Sequence, residues 1–222
     1  MISKIKAVLF DLDGVIVESE HLKAAAHAEA AARFGKPVPR EVYAQVMGQT
    51  HEAVRRAFLQ AAGAEVDPAA YTAAYHAIYH RLVQTQLNLT PGMGELLPAL
   101  IAQGYRLALV TSSSKESAAI TLSRVGLADY FAVEVFAGDV LRGKPDPQPY
   151  QLALDRLAIT PREGVVFEDS HAGIEAAAAA SLRVLALRHR YNADQDFSKA
   201  FQVLDALANT SKLITLIEGT DV

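Results

Sequence analysis

Cysteine is absent from the 222-residue chain, which excludes disulfides and any metal centre built on thiolates. No block of basic residues occurs, and 21 lysines and arginines against 25 aspartates and glutamates leave a net charge of −4. Nucleic acid and anionic membranes are therefore poor partners. No apolar run approaches the length of a membrane-spanning helix. Few residues precede the first strand pattern, too few for a signal peptide, so a cytoplasmic location is expected. There is no internal repeat, and no G-x-G-x-x-G follows the first strand, as a dinucleotide site would need. What is present is a globular composition, 51% hydrophobic and 21% charged. It suits one large domain or a core with a smaller second domain.

The stretch Ala7-Val8-Leu9-Phe10-Asp11-Leu12-Asp13-Gly14 organises the rest. Its apolar run reads as a strand buried on both faces. Alternation turns Asp11 and Asp13 to one side and Leu12 to the packing, and Gly14 permits a sharp exit. Two carboxylates at the end of a buried strand are costly to desolvate unless something pairs with them. Oxygen ligands favour Mg²⁺ as that partner.

Beyond Gly14 the apolar period becomes helical, over 18–34, 40–47, 51–62 and 71–86. No strand pattern interrupts this block, so 17–86 reads as an all-helical insertion, with the Tyr71, Tyr75 and Tyr79 stripe as its core. From 87 onward strands (105–110, 133–137, 164–167, 183–187) alternate with helices, and 201–204 and 211–217 suggest an edge strand and a terminal helix. The expected fold is α/β: residues 1–16 and 87–222 form a doubly wound parallel sheet, and the helical domain is inserted after its first strand. The isolated His27, His76, His80, His171 and His189 read as surface or packed residues.

Ligands of an open parallel sheet bind beyond the carboxyl ends of its strands. The first strand ends in Asp11 and Asp13, the second in Thr111 and Ser112, and the fourth in Glu168 and Asp169. Lys144 lies in the loop after the third. Each has a plainer reading: Thr111 to Ser114 and Glu168-Asp169-Ser170 could cap helices, and Lys144 could be a solvated loop residue. Together they deliver acids, hydroxyls and one lysine to one face.

Phe10-Asp11-Leu12-Asp13-Gly14-Val15 resembles the first motif of the haloacid dehalogenase superfamily, in its aspartate-nucleophile phosphatase branch. Thr111-Ser112, Lys144 and Glu168-Asp169 extend the resemblance to four motifs in order, over nearly the whole chain. The resemblance implies Asp11 as nucleophile and Asp13 as general acid and base. It implies Mg²⁺ held by Asp11, the backbone carbonyl of Asp13, and Asp169, with Glu168 behind them or acting through water. Thr111, Ser112 and Ser113 would bind phosphoryl oxygens, and Lys144 would supply charge to Asp11 and to the phosphoryl group.

The insertion resembles the small cap of the β-phosphoglucomutase-like branch, which implies substrate contacts from Glu18, Ser19, His21, Lys23, Gln49, Thr50 and His51. In β-phosphoglucomutase a histidine matches Lys23, and a phosphate-gripping lysine and arginine match Met47 and His51. Met47 cannot bind phosphate and His51 is mostly neutral at pH 7, so a hydrolase acting on a small phosphorylated metabolite is expected, with a phosphosugar mutase as alternative; a monomer is expected. A dehalogenase lacks the second acid, and a response-regulator receiver is about half this length. A silent phosphate-binding module stays open.

Overall fold

The structure is a computed structural model that describes residues 4–219. In chain order its elements are β1 (Ala7–Phe10), α1 (Glu20–Ala32), a 3-10 helix (Arg40–Gln45), α2 (His51–Ala62), α3 (Pro68–Gln86), α4 (Met93–Ala102), β2 (Arg106–Val110), α5 (Lys115–Val125), β3 (Val133–Val135), α6 (Gln148–Leu157), β4 (Gly164–Glu168), α7 (His171–Ala179), β5 (Arg183–Leu187), β6 (Gln202–Leu204) and α8 (Thr210–Glu218). They fall into two compact units, one of residues up to Val17 and from Leu89 onward, the other Glu18–Asn88.

The first unit is a doubly wound α/β fold. Its six strands are parallel and lie in the order β3-β2-β1-β4-β5-β6. Every residue of β1 and β4 is buried, because helices cover both faces of the sheet centre. Edge strand β6 has no fully buried residue. Leu9, Val110, Val135, Tyr150, Leu154, Ile174 and Val184 share one core cluster. The strand order reverses between β1 and β4, which opens a crevice beyond their carboxyl ends.

Leu12 is buried as expected, but the strand stops short of the two acids. β1 ends at Phe10, and the chain folds back over Leu12–Val17: the N–H groups of Ile16 and Val17 both donate to the Leu12 carbonyl (3.0 and 3.1 Å), and that of Gly14 to Val17 (2.8 Å). Gly14 takes φ 80° in this turn, a conformation that a side chain disfavours. Asp11 and Asp13 are thus placed by a turn.

The second unit is helical. Asp67 caps the Ala70 N–H (3.0 Å) and Pro68 takes the first position of α3, so this helix starts before the tyrosine stripe that reveals it. Tyr71, Tyr75 and Tyr79 are buried as expected. The short segment at 40–45, held between Pro39 and Gly48, forms a 3-10 rather than an α-helix.

His27 is the polar centre of this core. It is 3% exposed, its ring stacks on Tyr75 at 4.1 Å, and Nδ1 lies 3.0 Å from the Tyr71 hydroxyl. Burial, and then the neighbouring His51, Lys23 and His76, push its pKa from the ordinary 6.5 down to about 3. Between those values the unfolded chain binds a proton that the folded chain refuses. The stability that rests on neutral His27 is therefore fully present above pH 6.5 and is lost as pH falls toward 3. Urea unfolding at about pH 7 and about pH 5 is expected to show the wild type losing on the order of 1–2 kcal/mol more than His27→Leu. Equal losses in both proteins would remove His27 as the acid-sensitive group.

Candidate active site

Asp11 follows the last residue of β1, and its N–H donates to the Phe167 carbonyl of β4 (3.0 Å). The rings of Phe10 and Phe167 stack at 5.1 Å just beneath. Glu168 is the last residue of β4 and Asp169 the next. Asp11, Glu168 and Asp169 are all buried, and each offers a carboxylate oxygen within 4.8 Å of the others.

Lys144 reaches this cluster from the loop between β3 and α6. Its side chain is 5% exposed. Nζ donates to Asp11 Oδ1 (2.6 Å), Glu168 Oε1 (2.6 Å) and the Val110 carbonyl (2.9 Å), which uses all three ammonium protons. Burial works against its charge, but Asp11 and Glu168 outweigh it and hold the pKa above the usual lysine range.

Glu168 is saturated. Oε1 takes Lys144 and the Tyr150 hydroxyl (2.8 Å); Oε2 takes the N–H of Asp169 and both the N–H and hydroxyl of Ser170. It therefore braces Lys144 and the β4–α7 turn. The Ser170 hydroxyl also accepts the Gly173 N–H (3.0 Å), so the helix cap and the acid cluster are one structure.

Three buried acids with one lysine leave negative charge to be offset. Burial above all, and then Glu168 and Asp13, push Asp11 up to about 7 although Lys144 pulls it down. This surplus and an all-oxygen donor set fit a hard divalent cation.

Asp13 stands apart from the three acids. Its Oδ2 accepts the Ser113 hydroxyl (3.0 Å). Thr111, buried at the end of β2, accepts the Ser113 N–H on Oγ1 (3.0 Å), while Ser112 is exposed. Ser114 caps α5 through the Ser117 N–H (3.3 Å), so the capping reading of this loop applies to Ser114.

The remaining candidates belong to the second unit. Glu18 is exposed; the buried acid of that stretch is Glu20, which accepts Lys23 Nζ (2.8 Å) and the Tyr43 hydroxyl (2.8 Å). Gln49 is exposed, and its side chain donates to the Gln45 carbonyl (3.4 Å). His51 opens α2 with its ring near His27, Tyr75 and His76. Burial first, then His76 and Arg55, lower its pKa.

One residue corrects its sequence reading. His189, expected as a surface or packed histidine, has Nε2 2.9 Å from Asp169 Oδ2. It lies just past the carboxyl end of β5, and the rule that picked out β1, β2 and β4 finds it once β5 is included. Tyr150 and Asn192 were also missed; Asn192 is fully buried and donates to the Asp169 and Leu187 carbonyls (2.7 and 2.9 Å).

Among the described residues, no helix is long and apolar enough to cross a membrane. Comparison with known proteins gives a match of residues 8–187 to the model of the haloacid dehalogenase-like hydrolases. The chain is 32% identical over 214 residues to the phosphorylated carbohydrates phosphatase of Thermotoga maritima, covering 96% of this chain and 98% of that one. It is 35% identical over 191 residues to the validoxylamine A 7′-phosphate phosphatase of Streptomyces hygroscopicus subsp. limoneus, covering 85% and 88%. Among solved structures it resembles CbbY of Rhodobacter sphaeroides in complex with phosphate, at TM-score 0.82 and 29% identity, covering 93% of this chain and 96% of that one.

Proposed function

Because the chain belongs to the haloacid dehalogenase-like hydrolases and is a phosphoric monoester hydrolase of that family, we propose that it cleaves a small sugar phosphate or similar monoester through an aspartyl-phosphate. The observation that carries this reading is the division of the acids: Asp11 is locked to Lys144 inside the buried cluster, while Asp13 is not one of the three clustered acids and accepts the Ser113 hydroxyl.

In the first step an Asp11 carboxylate oxygen attacks phosphorus, the bond to the ester oxygen breaks, and Asp13 gives that oxygen its proton. In the second, Asp13 takes a proton from water, the water oxygen attacks the phosphoryl group, and phosphate leaves Asp11 as it was. Lys144 offsets charge at Asp11; with three acceptors already engaged, it contacts a phosphoryl oxygen only by exchanging one of them. Thr111 and Ser113 lie where β2 ends and would bind phosphoryl oxygens, with exposed Ser112 beside them.

Asp11, the Asp13 carbonyl and Asp169 would hold Mg²⁺, with Glu168 behind them. Bound there, the cation supplies positive charge that keeps Asp11 ionised and offsets charge on the phosphoryl group.

Substrate choice is assigned to the helical unit, with Glu18, Lys23, Gln49 and His51 as candidate contacts. Two features support hydrolysis over a mutase reaction. Met47 is buried, and His51 is held toward its neutral form, so the pair that matches the lysine and arginine of β-phosphoglucomutase offers little charge for a second phosphate.

The test is phosphate release from a panel of small phosphate esters. Sugar phosphates are expected to be cleaved, EDTA to stop the reaction, and excess Mg²⁺ to restore it. Full activity in EDTA would remove the cation. The panel includes β-glucose 1-phosphate with a trace of glucose 1,6-bisphosphate; glucose 6-phosphate appearing well ahead of free phosphate would turn the assignment to a mutase.

A further inference from the structure

The four motifs leave out the loop after β5, yet this loop grips Asp169 at both its main chain and its side chain. The Asn192 amide donates to the Asp169 carbonyl (2.7 Å) and to the Leu187 carbonyl at the end of β5 (2.9 Å). Its own oxygen accepts the His189 N–H (2.7 Å), which pins the His189 backbone. The Tyr191 N–H points at His189 Nδ1 (3.2 Å), so that nitrogen accepts and the proton sits on Nε2, directed at Asp169 Oδ2 2.9 Å away. From the other side Gly14 closes in: a Cβ there would lie 2.0 Å from Asp169 Oδ2 and 3.2 Å from His189 Nε2. The carboxylate, the imidazole and the bare glycine backbone fit together without spare room.

We propose that His189, braced by Asn192 and Tyr191, is a positioning residue that sets the Asp169 carboxylate for the divalent cation. This rests on the reading of Asp169 as a ligand. An aspartate has two side-chain torsions to fix before it can ligate. A fixed N–H donor on one oxygen fixes them in advance, and removing such an outer partner typically weakens metal binding about 10–100-fold. His189 does not touch the reacting atoms; it acts through Asp169.

The experiment measures Mn²⁺ binding to the full chain by electron paramagnetic resonance, with competition by Mg²⁺, so that no turnover is needed. His189→Ala is expected to raise the Mn²⁺ dissociation constant about tenfold, and His189→Gln, whose amide N–H reaches as far as the imidazole Nε2, to stay within about threefold of wild type. Asp169→Asn is the control for the underlying reading. Wild-type affinity in His189→Ala together with lost affinity in Asp169→Asn overturns the role of His189 alone. Wild-type affinity in Asp169→Asn overturns the ligand reading and this proposal with it. Equal weakening in the Ala and Gln variants reduces His189 to packing and also overturns it.

Discussion

Asp11→Asn is expected to bring phosphate release below detection while the fold stays intact. An amide is not a nucleophile toward phosphorus, so the first bond of the proposed reaction cannot form. The variant remains folded for a stated reason: the Asn side-chain oxygen can still accept from Lys144, as Asp11 Oδ1 does at 2.6 Å, and the Asp11 N–H to Phe167 carbonyl bond (3.0 Å) is backbone. It also removes one of three clustered buried acids, which relieves repulsion as well as weakening the pair with Lys144. The check is turnover alongside circular dichroism and the unfolding midpoint. Acid-quenched wild type should carry label from a ³²P-ester and the variant none. Near wild-type turnover in the variant would exclude Asp11 as nucleophile. A wild type that binds phosphate esters but never turns them over would instead revive the silent binding module.

The strands and helices of the first unit were legible because each is short, amphipathic or apolar in one clear period, and bounded by residues with one dominant local meaning. Gly126 at the end of α5, with φ 74°, is of this kind. The acids and Lys144 were legible because they sit within a few residues of strand ends, where topology alone brings them together. His189 and Asn192 follow the same rule after β5, but nothing in Arg188-His189-Arg190-Tyr191-Asn192 distinguishes a histidine facing Asp169 from one facing water. Tyr150 is harder still. On α6 it reads as one more apolar position, and only the tertiary structure puts its hydroxyl on Glu168 and its ring 5.2 Å from Lys144 Nζ. The burial of Glu20 was illegible for a related reason. Helical phase does not say which of two acids at a helix start turns inward when the partner, Tyr43, is 23 residues away.

Asp13→Asn is expected to slow turnover by about 10²–10⁴-fold, the usual worth of a positioned proton donor and acceptor. The variant should keep the local structure, since an Asn oxygen can still accept the Ser113 hydroxyl now 3.0 Å from Asp13 Oδ2, and the Gly14 to Val17 turn is made by backbone groups. It should also leave the buried cluster of Asp11, Glu168 and Asp169 in place, because Asp13 is not one of its members. The loss should therefore depend on the leaving group. An alkoxide needs a proton as the bond to phosphorus breaks and should suffer the full effect. A nitrophenolate leaves without one, and its transfer to Asp11 should be nearly as fast in the variant as in the wild type. The comparison has to be made on single-turnover phosphoryl transfer, because Asp13 is also assigned the activation of water, and slow hydrolysis of the phospho-enzyme would mask the difference in steady state. An equal loss for good and poor leaving groups in that single step would remove Asp13 as the general acid.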